Sequence, residues 1–247
     1  MSGYLPPMDY SNAIMIDPRE LRSLRRREAN MKPLKIAFSG AHGTGKTTAA
    51  RSLVKLLRKE GYGGTLVAAT ARYCPFPINR EATPEAQKWI WDRQVEAEAE
   101  AMSHGERQGL EFVVCDRTIM DSLCYTFWHR EKARALEGWT RSDPGKATPI
   151  TAWDWIRDKT NEFVKEHLRG YDLIWLTKPD RRPLKEDGVR DADKGWQTEI
   201  AEIFGNSWHS LKEFIDHCTD KPLPAKTFRG AGKSAEDVLA LLKAEKE

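Results

Sequence analysis

The chain has 247 residues, enough for one α/β domain with a sizeable core and a terminal extension. Its 40 Lys and Arg residues barely exceed its 37 Asp and Glu residues, and this balance is too mild to indicate nucleic-acid binding by itself. Its apolar runs fall short of the roughly 20 residues that span a bilayer, and its cysteines are scattered without a C-x-x-C pair. We therefore expect a soluble cytoplasmic protein with reduced thiols and no membrane partner.

Residues 1–32 precede the first convincing core strand and predict a basic N-terminal extension. Asp17, Pro18 and Glu20 are typical of a helix start, with an N-cap, a proline in the first turn and a capping box. A short helix is expected from there to about residue 30. It carries the arginines Arg19, Arg22, Arg25, Arg26 and Arg27. They indicate either a solvated charged face or contact with nucleic acid or a partner protein.

A short apolar strand at residues 34–39 leads into the pattern G-x-x-x-x-G-K-T at residues 40–47. The glycines of such a loop permit positive φ angles, so that backbone N–H groups can point at phosphate oxygens. Lys46 is expected to reach the β- and γ-phosphates, and the Thr47 hydroxyl to bind Mg²⁺. We predict that a nucleoside triphosphate binds to Gly40, Ala41, His42, Gly43, Thr44, Gly45, Lys46, Thr47 and Thr48.

Helices and strands alternate through the rest of the chain. Helices are predicted at residues 47–59, 83–102, 121–132 and 152–168, after residue 194 to about 217, and from 234. Strands are predicted at residues 65–68, 111–115, 171–177 and 226–229, and a surface loop at 138–151. This alternation implies a largely parallel sheet with helices on both faces. Ligands bind such sheets beyond the carboxyl ends of the strands.

The third predicted strand ends in an acid and a base, Asp116 and Arg117. Asp116 is interpreted as a carboxylate that holds Mg²⁺ through water or accepts the proton of an attacking hydroxyl, with a turn or cap residue as the alternative. Arg117 can clamp a phosphate with its planar guanidinium, or form a plain salt bridge. Asp121 lies four residues further on, within reach of Arg117 on a helical turn.

A polar segment at about residues 178–195 predicts an arginine-rich lid. Arg181, Arg182 and Arg190 would neutralise charge on a transferring phosphoryl group, and closure would exclude water. Gly188 would permit a hinge. A solvated charged loop is the structural alternative.

Acceptor-binding residues are predicted after the second strand and on the helix that follows it. Arg72 and Arg80 flank an apolar stretch there, and Gln94 offers both a donor and an acceptor to the edge of a base. Trp91 or Trp89 can stack on such a base, although core packing is the favoured role for at least one of them.

With these residues the chain resembles the P-loop nucleoside and nucleotide kinases. Within them it is similar to the nicotinamide-riboside-kinase-like group of AAA-type, or thymidylate-kinase-like, ATPases. The resemblance spans residues 34–245 and rests on the Gly40 to Thr48 loop, Asp116-Arg117-Thr118 with Asp121, Gln94, and Asp187-Gly188-Val189-Arg190.

The resemblance implies a three-layer P-loop NTPase sandwich whose five-stranded parallel sheet has the order 2-3-1-4-5. It also implies a kinase domain over residues 33–247 that uses ATP and Mg²⁺ to phosphorylate a hydroxyl or phosphate of a nucleoside-like acceptor. Many relatives have an acid before the arginine where this chain has Ala71, and Asp116 is therefore the preferred catalytic base.

Two other functions stay open at this point. Some phage relatives resemble kinases that act on 5-hydroxymethyluracil within DNA, and the basic extension and tryptophans of this chain would suit such an acceptor. An ATPase switch or partner-binding module without a small acceptor is the third interpretation. The sequence indicates no oligomeric state.

Overall fold

The computed structural model describes residues 32–136, 152–168, 170–177, 179, 184, 192–218, 235 and 238–240. Several predicted features lie outside these residues: the extension up to residue 31, the 138–151 loop, and the strand at 226–229. The lid arginines Arg181, Arg182 and Arg190 also lie outside them.

The described residues form a four-stranded parallel sheet with the order β2-β3-β1-β4. Its strands are β1 (Leu34–Ser39), β2 (Gly64–Val67), β3 (Phe112–Asp116) and β4 (Leu173–Leu176). The predicted α/β class with a parallel sheet is confirmed, and the strand order matches the first four positions of the predicted 2-3-1-4-5 arrangement.

Five helices accompany the sheet within the described residues: α1 (Lys46–Lys59), α2 (Pro84–Gln108), α3 (Ile119–Leu136), α4 (Ala152–Leu168) and α5 (Lys194–Cys218). Two 3₁₀ turns, Thr70–Tyr73 and Asn79–Glu81, lie between β2 and α2. Helix α2 continues beyond the predicted end at Met102, because its stop is Gly109, whose φ of 63° closes the last turn. None of these helices is long and apolar enough to cross a membrane.

Apolar side chains pack against both faces of the sheet. On one face Leu53 and Leu57 of α1 lie against Phe38 and Val114. On the other face helices α3 and α5 cover alternate residues of the same strands, such as Val113. Because the strands are parallel, their carboxyl ends meet at one edge of the sheet, between the two layers of helices.

The start of α2 allows a test of local stability. Thr83 Oγ1 accepts a hydrogen bond from the Ala86 N–H over 3.2 Å, and Pro84 begins the helix. Thr83→Ala removes this cap, and we expect the free energy of unfolding to fall by about 1 kcal/mol. Urea denaturation measures the loss. Thr83→Ser keeps the hydroxyl and is the control, so equal losses in both variants would contradict the capping role.

Candidate functional site

The loop between β1 and α1 has the backbone geometry of a phosphate cradle. Gly40, Gly43 and Gly45 have φ angles of 140°, 70° and 89°, which favour glycine. A Cβ at Gly40 would also lie 2.5 Å from the carbonyl oxygen of Thr177. The turn therefore has room for a glycine only, and it brings the loop against the end of β4.

Lys46 is held by the loop itself. Its Nζ donates hydrogen bonds to the carbonyl oxygens of Gly40 and Ala41, over 2.6 and 2.5 Å, and the residue is 4% exposed. A triphosphate has to replace these carbonyls with phosphate oxygens as partners of the ammonium. Thr47 is half-buried and lines the adjacent pocket, whereas Thr48 is exposed.

Two contacts fix the loop to neighbouring elements. Thr44 Oγ1 donates to the carbonyl of Ala41 over 2.8 Å and lies 2.6 Å from the hydroxyl of Thr177, the residue after β4. From α5, the Gln197 amide donates to the carbonyl of His42 over 2.6 Å. The phosphate loop is thus connected to residues on both sides of the predicted lid, Thr177 before it and Gln197 after it.

The carboxylate of Asp121 joins the ends of β1 and β3. Its Oδ2 accepts hydrogen bonds from Ser39 Oγ over 2.7 Å and from the Thr118 N–H over 3.0 Å, and so caps the start of α3. Its Oδ1 lies 3.3 Å from Nη1 of Arg117. The ion pair that the sequence predicts between Arg117 and Asp121 is present, and it orients the Arg117 guanidinium.

Arg117 keeps its positive charge in this site. Burial opposes that charge, but Tyr125, Asp121 and Asp116 nearby raise the pKa of Arg117 above its ordinary value. The guanidinium also lies over the ring of Tyr125, 5.9 Å from the ring centre. A permanent cation beside the phosphate loop can stabilise negative charge on phosphate.

Asp116 ends β3 and is 3% exposed. Its Oδ1 is buried and has no hydrogen-bond partner among the described residues. Such an oxygen is costly to bury unless a water or a cation binds it, which fits the predicted role in holding Mg²⁺ through water. Within the described part of the chain, no group of three or more His, Cys, Asp or Glu residues could hold a metal ion without other ligands.

One pocket lies beside the phosphate loop, with a cavity volume of about 70 Å³. It is lined by His42, Thr47, Ala69, Ala71, Arg72, Ile78, Asn79, Gln87, Ile90, Arg117, Asp121, Ser122 and Tyr125. The structure therefore brings together Thr47, Arg72 and Arg117, which the sequence placed at one edge of the sheet. Apolar walls with a few polar groups are typical of small-molecule sites.

Three residues predicted to bind the acceptor lie elsewhere. Arg80 pairs with Asp193 and lies over the ring of Trp196. Gln94 is 2% exposed and faces the protein interior. Trp91 packs against the core and meets Phe163 edge to ring face, 5.3 Å between ring centres. These residues are absent from the lining of the pocket, and their acceptor role stays a prediction.

The predicted lid is represented by few described residues. Leu184 is one of them, and it sits so close to Gly43 that a Cβ at that glycine would overlap its side chain. This part of the segment therefore lies over the phosphate loop. The arrangement of the lid as a whole stays a prediction.

Sequence reasoning missed four polar residues that line the pocket, namely Asn79, Gln87, Ser122 and Tyr125, and two of them lie at helical spacing from predicted residues. Gln87 lies on α2 seven residues before Gln94, two helical turns away on the same face. Tyr125 lies on α3 four residues after Asp121, and its hydroxyl accepts a hydrogen bond from the His42 N–H over 3.0 Å. Helical spacing from the predicted site residues was the signal that could have found both.

Comparison with known protein families gives one match. A family model described as an AAA domain matches residues 35–215, which is well over half of the chain and includes the phosphate loop, Asp116 and Arg117. A search of curated proteins finds no match. The match supports a nucleotide-binding P-loop domain.

His129 supports the wall of the pocket from behind. It is 6% exposed, stacks on Trp153 with 5.0 Å between ring centres, and hydrogen-bonds to the backbone of Asn79. Burial lowers the pKa of His129 from 6.5 to about 4, although the bond to Asn79 works in the opposite direction. The folded protein therefore holds this imidazole neutral at pH 7.

This burial makes stability depend on pH. Because the pKa of His129 is lower in the folded than in the unfolded protein, acid protonates the unfolded chain first. The stabilising contribution is full above pH 6.5 and declines as the pH falls toward 4. We expect wild type to lose about 2 kcal/mol more than His129→Gln between pH 7 and pH 5. Urea denaturation at both pH values measures this, and parallel losses in the two proteins would contradict it.

Proposed function

The chain belongs to the AAA domain family, and we propose that it is an ATP-dependent kinase that transfers the γ-phosphoryl group to a hydroxyl, or a phosphate, of a nucleoside-like acceptor. One observation carries this proposal. The pocket that reaches Thr47 at the phosphate loop continues to Arg72, Asn79 and Gln87, well beyond the residues that a triphosphate needs. A site that only hydrolyses ATP does not require a pocket that extends this far from the phosphate loop.

The donor side consists of the phosphate loop. Loop N–H groups and the start of α1 favour an anion, and Lys46 supplies a mobile cation for the β- and γ-phosphates. Gln197 and Thr177 hold the backbone of the loop from two sides, so ATP binding mainly requires Lys46 to exchange its carbonyl partners for phosphate oxygens. Such preorganisation is a large part of catalysis in phosphoryl transfer.

Mg²⁺ would supply positive charge that offsets the charge developing on the phosphate oxygens. Thr47 is the residue that would bind it directly, and Asp116 would hold it through water. Burial of Asp116 outside the pocket lining favours this role over direct proton abstraction from an acceptor.

Arg117 is positioned to stabilise the transferring group. It lines the pocket, carries a permanent charge, and is oriented by Asp121. The lid arginines Arg181, Arg182 and Arg190 would add charge on closure and exclude water from the site. Because the transition state of phosphoryl transfer is loose, positioning and charge matter more than a strong base.

The part of the pocket away from the phosphate loop suits a planar, partly polar ring. Gln87 and Asn79 offer amide donors and acceptors, Arg72 offers a cation, and Ile78 and Ile90 supply apolar walls. These groups together match a heterocycle with a hydrogen-bonding edge and an attached sugar. A nucleoside or a close analogue is therefore the preferred acceptor class.

The decisive experiment offers γ-labelled ATP with a panel of acceptors: nucleosides, nucleoside monophosphates, nicotinamide riboside, and DNA with or without 5-hydroxymethyluracil. We expect label in one acceptor class. Lys46→Ala removes the phosphate-binding cation, and we expect transfer to fall by at least about a thousandfold. Lys55→Ala, at an exposed position of the same helix, is the matched control and should transfer normally.

Two outcomes count against the proposal. Full activity of Lys46→Ala would remove the phosphate-loop assignment. Steady ATP hydrolysis by wild type with no labelled acceptor would favour an ATPase switch or a partner-binding module instead.

A base within DNA is the second candidate acceptor, and exposed aromatic residues favour it. Tyr73 and Phe76 are 71% and 41% exposed, the highest values among the large hydrophobic side chains of the described residues. They lie between Arg72 and Ile78, two residues that line the pocket. Aromatic rings beside a cation are typical of surfaces that stack nucleic-acid bases.

Oligonucleotide binding tests this second candidate. Replacing Tyr73 and Phe76 together by alanine should weaken binding of a 5-hydroxymethyluracil oligonucleotide by roughly tenfold or more, since each stacked base is worth about 1–3 kcal/mol. Phe163→Ala, at an exposed position on α4, is the matched control. Wild-type affinity should fall steeply as salt rises.

Oligonucleotide binding that does not weaken as salt rises would contradict DNA as the acceptor. An equal loss of affinity in the Tyr73 and Phe76 double variant and in Phe163→Ala would also contradict it. A truncation that lacks residues 1–32 tests the basic extension separately. Unchanged affinity in that protein would show that the extension plays no part.

A further inference from the structure

Two residues that line the pocket have strained backbone conformations. Arg117 and Asn79 have φ angles of 105° and 63°, and they are the positive-φ residues other than glycine within the described part of the chain. Such conformations cost free energy and persist where neighbouring contacts hold them. The Arg117 N–H donates a hydrogen bond to the Phe38 carbonyl oxygen over 3.0 Å, which leaves the Arg117 carbonyl to be held by another group.

Gln94 contacts that carbonyl and also the 3₁₀ turn that begins at Thr70. Its Nε2 donates to the carbonyl of Arg117 over 3.4 Å. Its Oε1 accepts a hydrogen bond from Thr70 Oγ1 over 3.2 Å. Thr70 begins the 3₁₀ turn that carries Arg72, so one buried amide connects the two arginines that line the pocket.

The orientation of this amide is fixed by Glu98. Gln94 Nε2 donates to Glu98 Oε1 over 2.7 Å, one helical turn further along α2. An ionised carboxylate can only accept hydrogen bonds, so the NH₂ group of Gln94 has to face it. With the NH₂ group held there, the amide oxygen is left for Thr70.

Glu98 is itself anchored in the core. The residue is fully buried, and its Oε2 lies 2.6 Å from Lys35 Nζ, 2.8 Å from His167 Nε2 and 2.5 Å from the Tyr171 hydroxyl. Burial opposes ionisation, but the bond from His167 and the charge of Lys35 outweigh it and lower the pKa of Glu98. A charged anchor therefore connects β1, α4 and Tyr171, two residues before β4, to Gln94.

We propose that Gln94 is a positioning residue rather than an acceptor-binding one. Its amide, oriented by Glu98, holds the Arg117 carbonyl and the Thr70 turn, and thereby fixes the places of Arg117 and Arg72 around the pocket. The kinetic consequence rests on the proposed kinase function, whereas the structural consequence does not.

The test compares Gln94→Met with Tyr171→Phe in the full chain. Methionine keeps the volume of glutamine but makes none of its hydrogen bonds. Tyr171→Phe also removes a buried partner of Glu98, but it makes no contact with Thr70 or Arg117. Both variants lose a bond to the same carboxylate, so the pair separates positioning from general destabilisation.

Hydrogen–deuterium exchange followed by mass spectrometry is the first readout. We expect the backbone amides of residues 70–73 and 117–118 to exchange at least tenfold faster in Gln94→Met than in wild type. In Tyr171→Phe they should stay within about threefold of wild type. Equal exchange in the two variants, or no change in Gln94→Met, would overturn the proposal.

Turnover of Mg·ATP is the second readout, measured with water and with thymidine as the phosphoryl acceptor. Gln94→Met should lower turnover at least tenfold while the Kd for Mg·ATP, from competition with a fluorescent ATP analogue, stays within twofold. Tyr171→Phe should keep both values. Faster exchange in Gln94→Met without loss of turnover would overturn the catalytic part of the inference.

A third variant covers the case in which Gln94→Met does not fold. Thr70→Val removes the hydroxyl that donates to Gln94 and keeps the shape of the side chain. It should accelerate exchange at residues 70–73, and unchanged exchange would count against the proposal. If wild type transfers phosphate to no acceptor, the proposed function fails. The exchange result then still decides whether Gln94 positions residues 70–73 and 117–118.

Discussion

The carboxylate of Asp121 is the contact on which the arrangement of the site depends. It binds Ser39 at the end of β1, the N–H of Thr118 just before α3, and the guanidinium of Arg117. The phosphate loop begins directly after Ser39, so one buried group fixes the distance between the loop and the cation opposite it. A carboxylate with several donors is a strong and directional constraint, because each bond is assisted by charge.

The rest of the pocket is held in the same manner, by buried groups behind its wall. Gln94 stands behind Arg117, His129 behind Asn79, and Gln197 behind His42. In each pair the supporting contact is made to the backbone of the pocket residue rather than to its side chain. Support from a buried layer is what precise placement of binding groups requires.

The sequence predicted the phosphate loop and the parallel sheet because both follow from local rules, whereas the strand order was implied by the resemblance to the P-loop kinases. The G-x-x-x-x-G-K-T spacing dictates its own backbone, and alternating strands and helices allow few topologies. The faces of α2 were harder to predict. Gln87 and Gln94 share one face, yet only Gln87 lines the pocket, because Glu98 draws the amide of Gln94 into the core. Glu98 is in turn held in the core by His167, 69 residues away, and such a tertiary contact leaves no local signal.

The strained backbone of Arg117 is stabilised by contacts in the core rather than by contacts in the pocket. A buried network in a low dielectric is strong when every member is satisfied and costly when one is missing. Glu98 is satisfied by four side chains, Gln94 among them. Turning Gln94 away from Arg117 would therefore also break its bond to Glu98 and leave a buried oxygen without that donor. This coupling keeps Arg117 in a conformation that the isolated chain would avoid, and it does so before any ligand binds.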